Sequence, residues 1–433
     1  MKTILKYILK ILAKRVISRY RPTVIGITGS VGKSTAKEAI FSVLRSKFLV
    51  RKNVDNYNNE FGVPMAVLAI DPIKFKSFGY KLTSLLSAIW LVMGWREKYP
   101  KFLVLELAAD RPGDIKYLSD IVMPSIGVVT AIGEVPVHVQ FYASPKEVAV
   151  EKANLIRNLP ISNGLAILNY DDQTVLDMKE ISKAKTMTFG LSPKKSDQGP
   201  DVWASDISYF INHDSNDSGQ IGGLAFKINT KSSFIPTKVN NLIGVHQLYG
   251  ILAGVAVGLN FGVNLIDIAG SLENIELPHQ RMNLMSGVKN SFIIDDSYNA
   301  SPLSTRAALE TLKNFNNAKR HLEDKTMRSG RRIAILGDMK ELGKYEIEAH
   351  RAIGNIAAEC CDVLITVGAA AKFIADSAAN QMSTNSIFSF NTSEEARAKA
   401  QEVMGEGDVV LVKGSRSMKM EVIVEELFAD ISS

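Results

Sequence analysis

Residues 26–35 read GITGSVGKST and follow a short apolar run at 24–27. Glycines at 26, 29 and 32 let main-chain N–H groups close around phosphate oxygens, Lys33 reaches the terminal phosphates, and Ser34 is placed to ligate Mg²⁺. Gly29, Ser30, Gly32, Lys33, Ser34 and Thr35 are therefore candidate ATP-binding residues. The strict phosphate-loop pattern needs glycine at 27, where this chain has Ile27, so the loop is a variant. The alternative is a glycine-rich turn with a chance Lys-Ser. The order of strand, loop, Lys, Ser and helix argues against it. A helix expected over 33–44 points its positive N-terminal end at the phosphates.

The elements that must position this loop follow from the hydrophobic pattern. Short β-type runs at 24–27, 102–105, 126–130 and 165–168 alternate with helical stretches such as 145–159. This predicts a parallel sheet covered by helices on both faces. Residues 201–240 are polar and rich in Asn, Asp, Ser and Gly, and predict a small antiparallel hairpin or meander attached to that sheet. A helix over 244–259 returns to the alternating pattern. Near 277–281 the pattern restarts, with strands at 292–294, 333–336, 363–367 and 409–412. It predicts a second, smaller Rossmann-like α/β domain with a basic loop at 319–332. The expected architecture is α/β: a phosphate-loop, mostly parallel sheet domain with a small β insert, then a C-terminal α/β domain. The units are drawn at 1–22, 23–280 and 281–433.

With 433 residues, 46% hydrophobic and 22% charged, the chain is an ordinary globular protein of two or three domains. Its only cysteines are the neighbours Cys360 and Cys361, which implies no disulfide framework and a reducing compartment. No Cys/His cluster has zinc spacing. The net charge of +6 sits almost wholly in residues 1–21, which hold seven cations and no acid, so the body is close to neutral and no nucleic-acid partner is implied. In that segment lysine recurs every fourth residue, with Ile4, Leu5, Ile8, Ile11, Leu12, Val16 and Ile17 between. A basic amphipathic helix results, without the apolar core and cleavage site of a signal peptide. It fits attachment to an anionic membrane surface; packing its apolar stripe on the body is the alternative. Residues 82–95, LTSLLSAIWLVMGW, are uncharged, shorter than the roughly 20 residues of a span, and carry Trp90 and Trp95. They fit a re-entrant or interfacial helix, and equally a buried core helix.

Six segments occur in a telling order: TGSVGKST at 28–35, NYNNEFGVP at 56–64, LELAADRPG at 105–113, DDSYNASP at 295–302, GDMKELG at 337–343 and KGSRSMKME at 413–421. Over about residues 23–433 the chain resembles the Mur ligases, and among them the branch that adds a D-alanyl-D-alanine dipeptide. The resemblance implies an ADP-forming, ATP-dependent amide ligase of cell-wall precursor synthesis. ATP phosphorylates a muropeptide carboxylate, and an amine displaces phosphate from the acyl phosphate. Metal ions and cations neutralise the crowded oxygens in both steps.

The resemblance also implies roles. Glu106 is a Mg²⁺ ligand, as suits a hard carboxylate. His138 is a second metal ligand, and Lys152, 14 residues on, is usually carbamylated to act as one. With Lys33 these are the catalytic candidates; Ser34, Glu106, His138 and Lys152 are the metal set, for one or two Mg²⁺. Uncarbamylated, Lys152 is a plain phosphate-binding cation. Arg281 is an ATP-binding residue at the nucleotide phosphate, and Asp296 an ATP-binding acid near the ribose or the domain hinge. Asn58, Asn59, Asn299, Asp338, Lys413, Ser415 and Arg416 are assigned to the substrates, the last three suiting a dipeptide carboxylate. The pattern departs at Gln140, where an acid is common, at extra residues in 133–137, and at Gln280, where the family writes Gly-Arg. It departs again at His246-Gln-Leu-Tyr-Gly, where the family writes H-N-x-x-N.

The phosphate loop starts at residue 26, where the family has a UDP-binding domain before it. A basic helix stands there instead, and 71–101 is longer than usual. The expectation is a monomeric, cytoplasmic-side enzyme, peripheral on the inner face of the cell membrane, whose muropeptide acceptor is UDP- or lipid-linked. Two alternatives are a Mur-type ligase acting on another acceptor and a non-catalytic, membrane-tethered nucleotide-binding scaffold.

Overall fold

Two sheets organise the chain. The computed structural model describes residues 2–54, 56–94, 98–191, 199–211, 221–322 and 330–428. Trp95, Arg96 and residues 323–329 of the basic stretch at 319–332 lie outside the described residues. Among the described residues the first sheet contains β1 (Thr23–Thr28), β2 (Val50–Lys52), β3 (Phe102–Glu106), β4 (Ile126–Val129), β5 (Leu165–Asn169), β6 (Lys185–Gly190), β7 (Val202–Ile211), β8 (Ile221–Thr230) and β9 (Phe234–Asn240). Their order is β2-β3-β1-β4-β5-β6-β7-β8-β9. Pairing is parallel as far as β7 and antiparallel from β7 through β9, so the polar 201–240 stretch is a meander continuing the same sheet. β1 and β3 are buried along almost their whole length, which is why they read as unbroken apolar runs. The chain winds to opposite sides of β1, through β3 one way and β4 the other. That reversal opens a crevice at the strands' carboxyl ends.

The helices of this part are α1 (Lys2–Tyr20), α2 (Lys33–Arg45), α3 (Gly62–Val67), α4 (Phe78–Met93), α5 (Asp114–Val122), α6 (Pro145–Arg157), α7 (Gln173–Leu176), α8 (Leu248–Asn260) and α9 (Leu265–Glu273). One face of the sheet packs against α2, α8 and α9 in a core holding Ile40, Val43, Ile251 and Val255. α8 carries Gly250, Gly254 and Gly258 on one stripe. A Cβ at Gly254 would lie 2.7 Å from Ala39 Cβ, and one at Gly250 would lie 2.8 Å from Ala36 N. The stripe thus lets α8 press against α2 and set the depth of the phosphate loop. It also accounts for Gly250 replacing the second family asparagine: no side chain fits there.

The other face packs against α1, α3, α4 and α5. Leu9, Ala13, Val16 and Ile17 of α1 are buried, so part of its apolar stripe meets the body. The lysine stripe does not face away: Lys6 and Lys10 stand over the Tyr117 ring at 4.6 and 4.5 Å, and Lys6 lies 3.8 Å from Glu60.

The second sheet has strands β10 (Asn283–Gly287), β11 (Ser291–Asp296), β12 (Arg332–Gly337), β13 (Val363–Val367), β14 (Ile387–Phe390) and β15 (Val409–Lys413), ordered β10-β11-β15-β12-β13-β14. Only β10 is antiparallel to its neighbour. Its helices are α10 (Pro302–Leu322), α11 (Glu346–Cys360), α12 (Lys372–Ala378), α13 (Ser393–Val403) and α14 (Glu421–Leu427). Cys360 and Cys361 are buried free thiols. Strands β2, β6, β10 and β14 have no counterpart in the sequence pattern. Each is short, polar or at a sheet margin.

Candidate active site

The loop between β1 and α2 is held from below by β4. Ser30 N and Val31 N donate to Ala131 O, and Thr130 Oγ1 donates to Val31 O at 2.6 Å. Gly29 has φ +145° and Gly32 φ +87°, conformations that glycine adopts at little cost. Gly32 turns the chain directly into α2, whose first N–H groups line the cavity. Lys33 Nζ curls back to Gly29 O (2.9 Å) and Ser30 O (3.4 Å), and Lys152 Nζ from α6 donates to the same Gly29 O at 3.0 Å. Two buried amines thus converge on one carbonyl, an arrangement that favours an anion beside it. Ser30 Oγ is buried there without a partner among the described residues.

Burial lowers the Lys33 pKa, with Glu106 opposing and Arg281 adding to the shift. Burial, then the neighbouring Lys33 charge, brings Lys152 down to about 7.

Glu106 ends β3 and is 2% exposed. Its Oε2 accepts from Ser34 Oγ at 3.0 Å and its Oε1 from Asn58 Nδ2 at 2.9 Å. Asn53 pins the same residue's main chain, accepting from Glu106 N (3.0 Å) and donating to Glu106 O (3.3 Å), while buried Lys37 donates to Asn53 O (3.2 Å). Burial alone would push the Glu106 carboxyl up. The charges of Lys33, Lys37 and Arg281 and the Asn58 hydrogen bond outweigh it and hold the pKa below its ordinary value. Asn53 and Lys37 escape sequence reading, since one Asn and one helical Lys carry no pattern.

A buried carboxylate and a hydroxyl beside a phosphate loop are hard oxygen donors. Among the described residues no cluster of three or more His, Cys, Asp or Glu could hold a metal alone. This fits Mg²⁺, which binds through one or two protein oxygens plus substrate phosphates. His138 is placed differently from a free ligand. Its Nε2 lies 3.3 Å from Asp110 and its Nδ1 2.5 Å from Glu341 of the second sheet's unit. The His138 ring beside it holds the Glu341 carboxyl below its usual range.

Across the cleft, β11 and β15 end side by side. Lys413 Nζ meets Asp296 Oδ2 at 2.6 Å and Asn299 O at 2.8 Å. Burial raises the Asp296 pKa, with Lys413 opposing. Arg281 lies 4.2 Å from the Tyr298 ring centroid and reaches Asn56 Oδ1 at 3.5 Å. Gln280 and Met282 flank it at φ +57° and +59°. Glycine is favoured in that region, which explains why the family writes Gly where this chain has Gln280. Gln247, in place of the first family asparagine, donates to Arg281 O at 3.3 Å.

A cavity of about 270 Å³ gathers Gly29, Ser30, Gly32, Lys33, Ser34, Thr35, Asn58, Glu106, His138, Lys152, Arg281, Asp296, Asn299 and Lys413. Arg416 lines an adjoining cavity of about 700 Å³ with Arg281 and Tyr298. Three expected substrate residues are not brought to either. Asn59 accepts from Phe61 N and Gly62 N of its own turn, both at 3.1 Å. Asp338 accepts from Ala371 N (2.7 Å) and pairs with Lys340 (2.6 Å), and Ser415 Oγ accepts from Lys340 N (2.8 Å). All three shape loops behind the cleft. A third cavity, of about 720 Å³, continues from Val31 and Gly32 past His246 to Asn169, Asp171 and Tyr249. Burial, then Lys413, lowers His246 to about 4, leaving a neutral ring.

A phosphate-loop sheet facing a second α/β unit across a cationic, carboxylate-bearing cleft defines a nucleotide-dependent ligase. Residues 87–258 match the Mur ligase middle domain, and residues 280–416 match the Mur ligase glutamate ligase domain. The chain belongs to the Mur ligase family. The UDP-N-acetylmuramoyl-tripeptide–D-alanyl-D-alanine ligase of Bacillus subtilis is 28% identical over 417 residues, covering 96% of this chain and 78% of its own. The same-named enzyme of Mycobacterium leprae is 29% identical, covering 94% and 74%. Among solved structures, the Thermotoga maritima MurF ligase in complex with ADP has a TM-score of 0.74 at 25% identity, covering 97% of this chain and 83% of its own. MurF from Acinetobacter baumannii has a TM-score of 0.74 at 26% identity, covering 97% and 79%.

Proposed function

We propose that this Mur ligase joins D-alanyl-D-alanine, or a similar dipeptide, to the carboxylate of a muropeptide through an acyl phosphate. The observation that carries this reading is the shared cavity. Lys33, Ser34, Glu106 and Lys152 from one unit face Arg281, Asp296, Asn299 and Lys413 from the other. The unit boundary falls at 280–281, where the two left-handed residues flank Arg281.

ATP would lay its phosphates on the Gly29–Thr35 loop, its adenosine extending past His246 into the cavity bearing Asn169 and Tyr249. Ser34 and Glu106 would hold Mg²⁺, which spreads negative charge off the phosphate oxygens when bound. The muropeptide carboxylate attacks the γ-phosphorus as the bond to the β–γ bridging oxygen breaks, releasing ADP. The dipeptide amine then attacks the acyl carbon, the C–O bond to phosphate breaks, and the amine loses a proton as the amide forms. Lys33, Lys152 and Arg281 offset the charge on the transferring phosphoryl group. Lys413 is available to a dipeptide carboxylate only by sharing it with Asp296. Lys152 serves as an amine or, after carbamylation, as a carboxylate-like ligand. Use of ATP is the reason for placing the reaction in the cytoplasm, and a monomer suffices because one chain supplies both walls of the cleft.

The test is ADP release by purified protein given D-alanyl-D-alanine and either a UDP-linked or a lipid-linked muropeptide. Release should require both substrates. No release with either acceptor overturns the reading.

A further inference from the structure

α4 is apolar on both faces, with Leu85 and Val92 packed partly against the core. Ser84, Ala88 and Leu91 turn inward, whereas Leu82, Leu86, Ile89, Trp90 and Met93 are 43–57% exposed. At 100° per residue those five share one arc of about 100°. A second face of large apolar side chains given to water is not explained by the folding of this chain, because scattered exposure is ordinary but a contiguous stripe is not.

α1 adjoins α4 and is itself partly apolar on its exposed side. Its end packs on the end of α4: Tyr20 Oη donates to Leu91 O at 3.0 Å, and the Arg19 guanidinium occupies the space beside Gly94. Ile4, Tyr7 and Ile8 are exposed on α1, and Ile73 is exposed just before α4. The surrounding charge is mostly cationic, although Asp71, which accepts from Ile73 N, and Glu60, beside Lys6, lie at its edge. α1 has no acid, Lys2, Lys14 and Arg15 are exposed on it, and the only charged residue of α4 is Lys81.

We propose that the outward faces of α1 and α4 dock on an anionic lipid surface, with α4 lying in the boundary between headgroups and acyl chains. Among the described residues no helix is long and apolar enough to cross a membrane. The 16 residues of α4 reach about 24 Å, short of the ~30 Å hydrocarbon thickness. An apolar stripe with Trp90 at its margin and long cationic side chains on the adjoining α1 suits the interface plane. The net cationic charge around the stripe, seven cations and no acid in residues 1–21, is the argument for lipid over protein, since anionic headgroups complement it. The contact set is not the regular lysine stripe, for Lys6 and Lys10 are engaged with Tyr117.

Flotation of the full chain with phosphatidylcholine vesicles, with and without about one-third phosphatidylglycerol, tests this. The protein should float with the anionic vesicles only, and less at high salt. The exposed-face variants Leu86→Glu/Ile89→Glu and Lys14→Glu/Arg15→Glu should each lose about tenfold or more in binding. Their thermal melts and vesicle-free ADP release should stay unchanged. A blue shift of tryptophan emission on anionic vesicles should disappear in Trp90→Phe. Absence of flotation, or equal flotation of both double variants, overturns the proposal. So does self-association in sedimentation velocity that Leu86→Glu/Ile89→Glu abolishes while vesicles bind nothing, which would seat a second copy on this face. Flotation does not depend on the ligase reading and would survive its failure.

Discussion

Lys152 is the residue whose environment most changes its chemistry. Its folded pKa of about 7 lies well below the unfolded value, so folding disfavours the protonated form. The destabilisation is full below pH 7 and is relieved as pH rises from about 7 toward 10.5, and Lys152→Met should flatten that rise in urea-unfolding measurements. Only the neutral amine attacks CO₂, so a ¹³C carbamate signal from labelled bicarbonate should grow as pH passes about 7, with ADP release following it. An active enzyme without that signal would leave Lys152 a plain cation. Lys33→Ala should cut ADP release by about 10²–10³, the usual loss for one preorganised donor to developing charge. Gln280 supplies a backbone test. Gln280→Val places a β-branched residue at φ +57° and should destabilise by about 1–3 kcal/mol in chemical denaturation, whereas Gln280→Gly should be tolerated.

At the scale of elements, the phosphate loop depends on what lies behind it. The glycine stripe of α8 sets the position of α2, and α2 carries Lys33 and Ser34. Gly254→Leu should therefore destabilise by about 1–3 kcal/mol, and weaken ATP binding even though residue 254 does not line the cavity. Denaturant unfolding and nucleotide titration on one preparation would check both, and unchanged affinity would detach α2 from the argument. The polar meander β7–β9 extends the sheet and lines none of the phosphate cavity.

For the whole molecule, the cleft is drawn together by contacts between units: His138 with Glu341, Gln140 N with Glu341 O, and Arg281 with Asn56. The His138–Glu341 pair is partly exposed, so breaking it should cost only about 0.2–1 kcal/mol. That is enough to shift a closure equilibrium up to about fivefold. Glu341→Gln should accordingly raise the radius of gyration in small-angle scattering without ATP, and nucleotide should restore it. An unchanged radius would mean that other contacts hold the cleft.

The phosphate loop, the alternating elements and the two-unit architecture were legible in the chain, because local residue order determines a strand-loop-helix turn and a hydrophobic period. Family likeness added Glu106, Lys152, Arg281, Asp296 and Lys413, which the structure brings to one cavity. It also pointed to Asn59, Asp338 and Ser415, which the structure turns to loop contacts. Asn53, Lys37 and the Asn169–Tyr249 cavity carried no signal, since their partners lie far away in sequence. The fate of the first helix and of 82–95 was open for the same reason. A hydrophobic count says that a helix must bury something, but only the packing of α1 and α4 on the sheet decided which side chains went inward. The sequence by itself determined what the phosphate loop could bind. Tertiary structure decided which charges surround the phosphate loop and which apolar face was left exposed, because both are sums over neighbours that chain order does not contain.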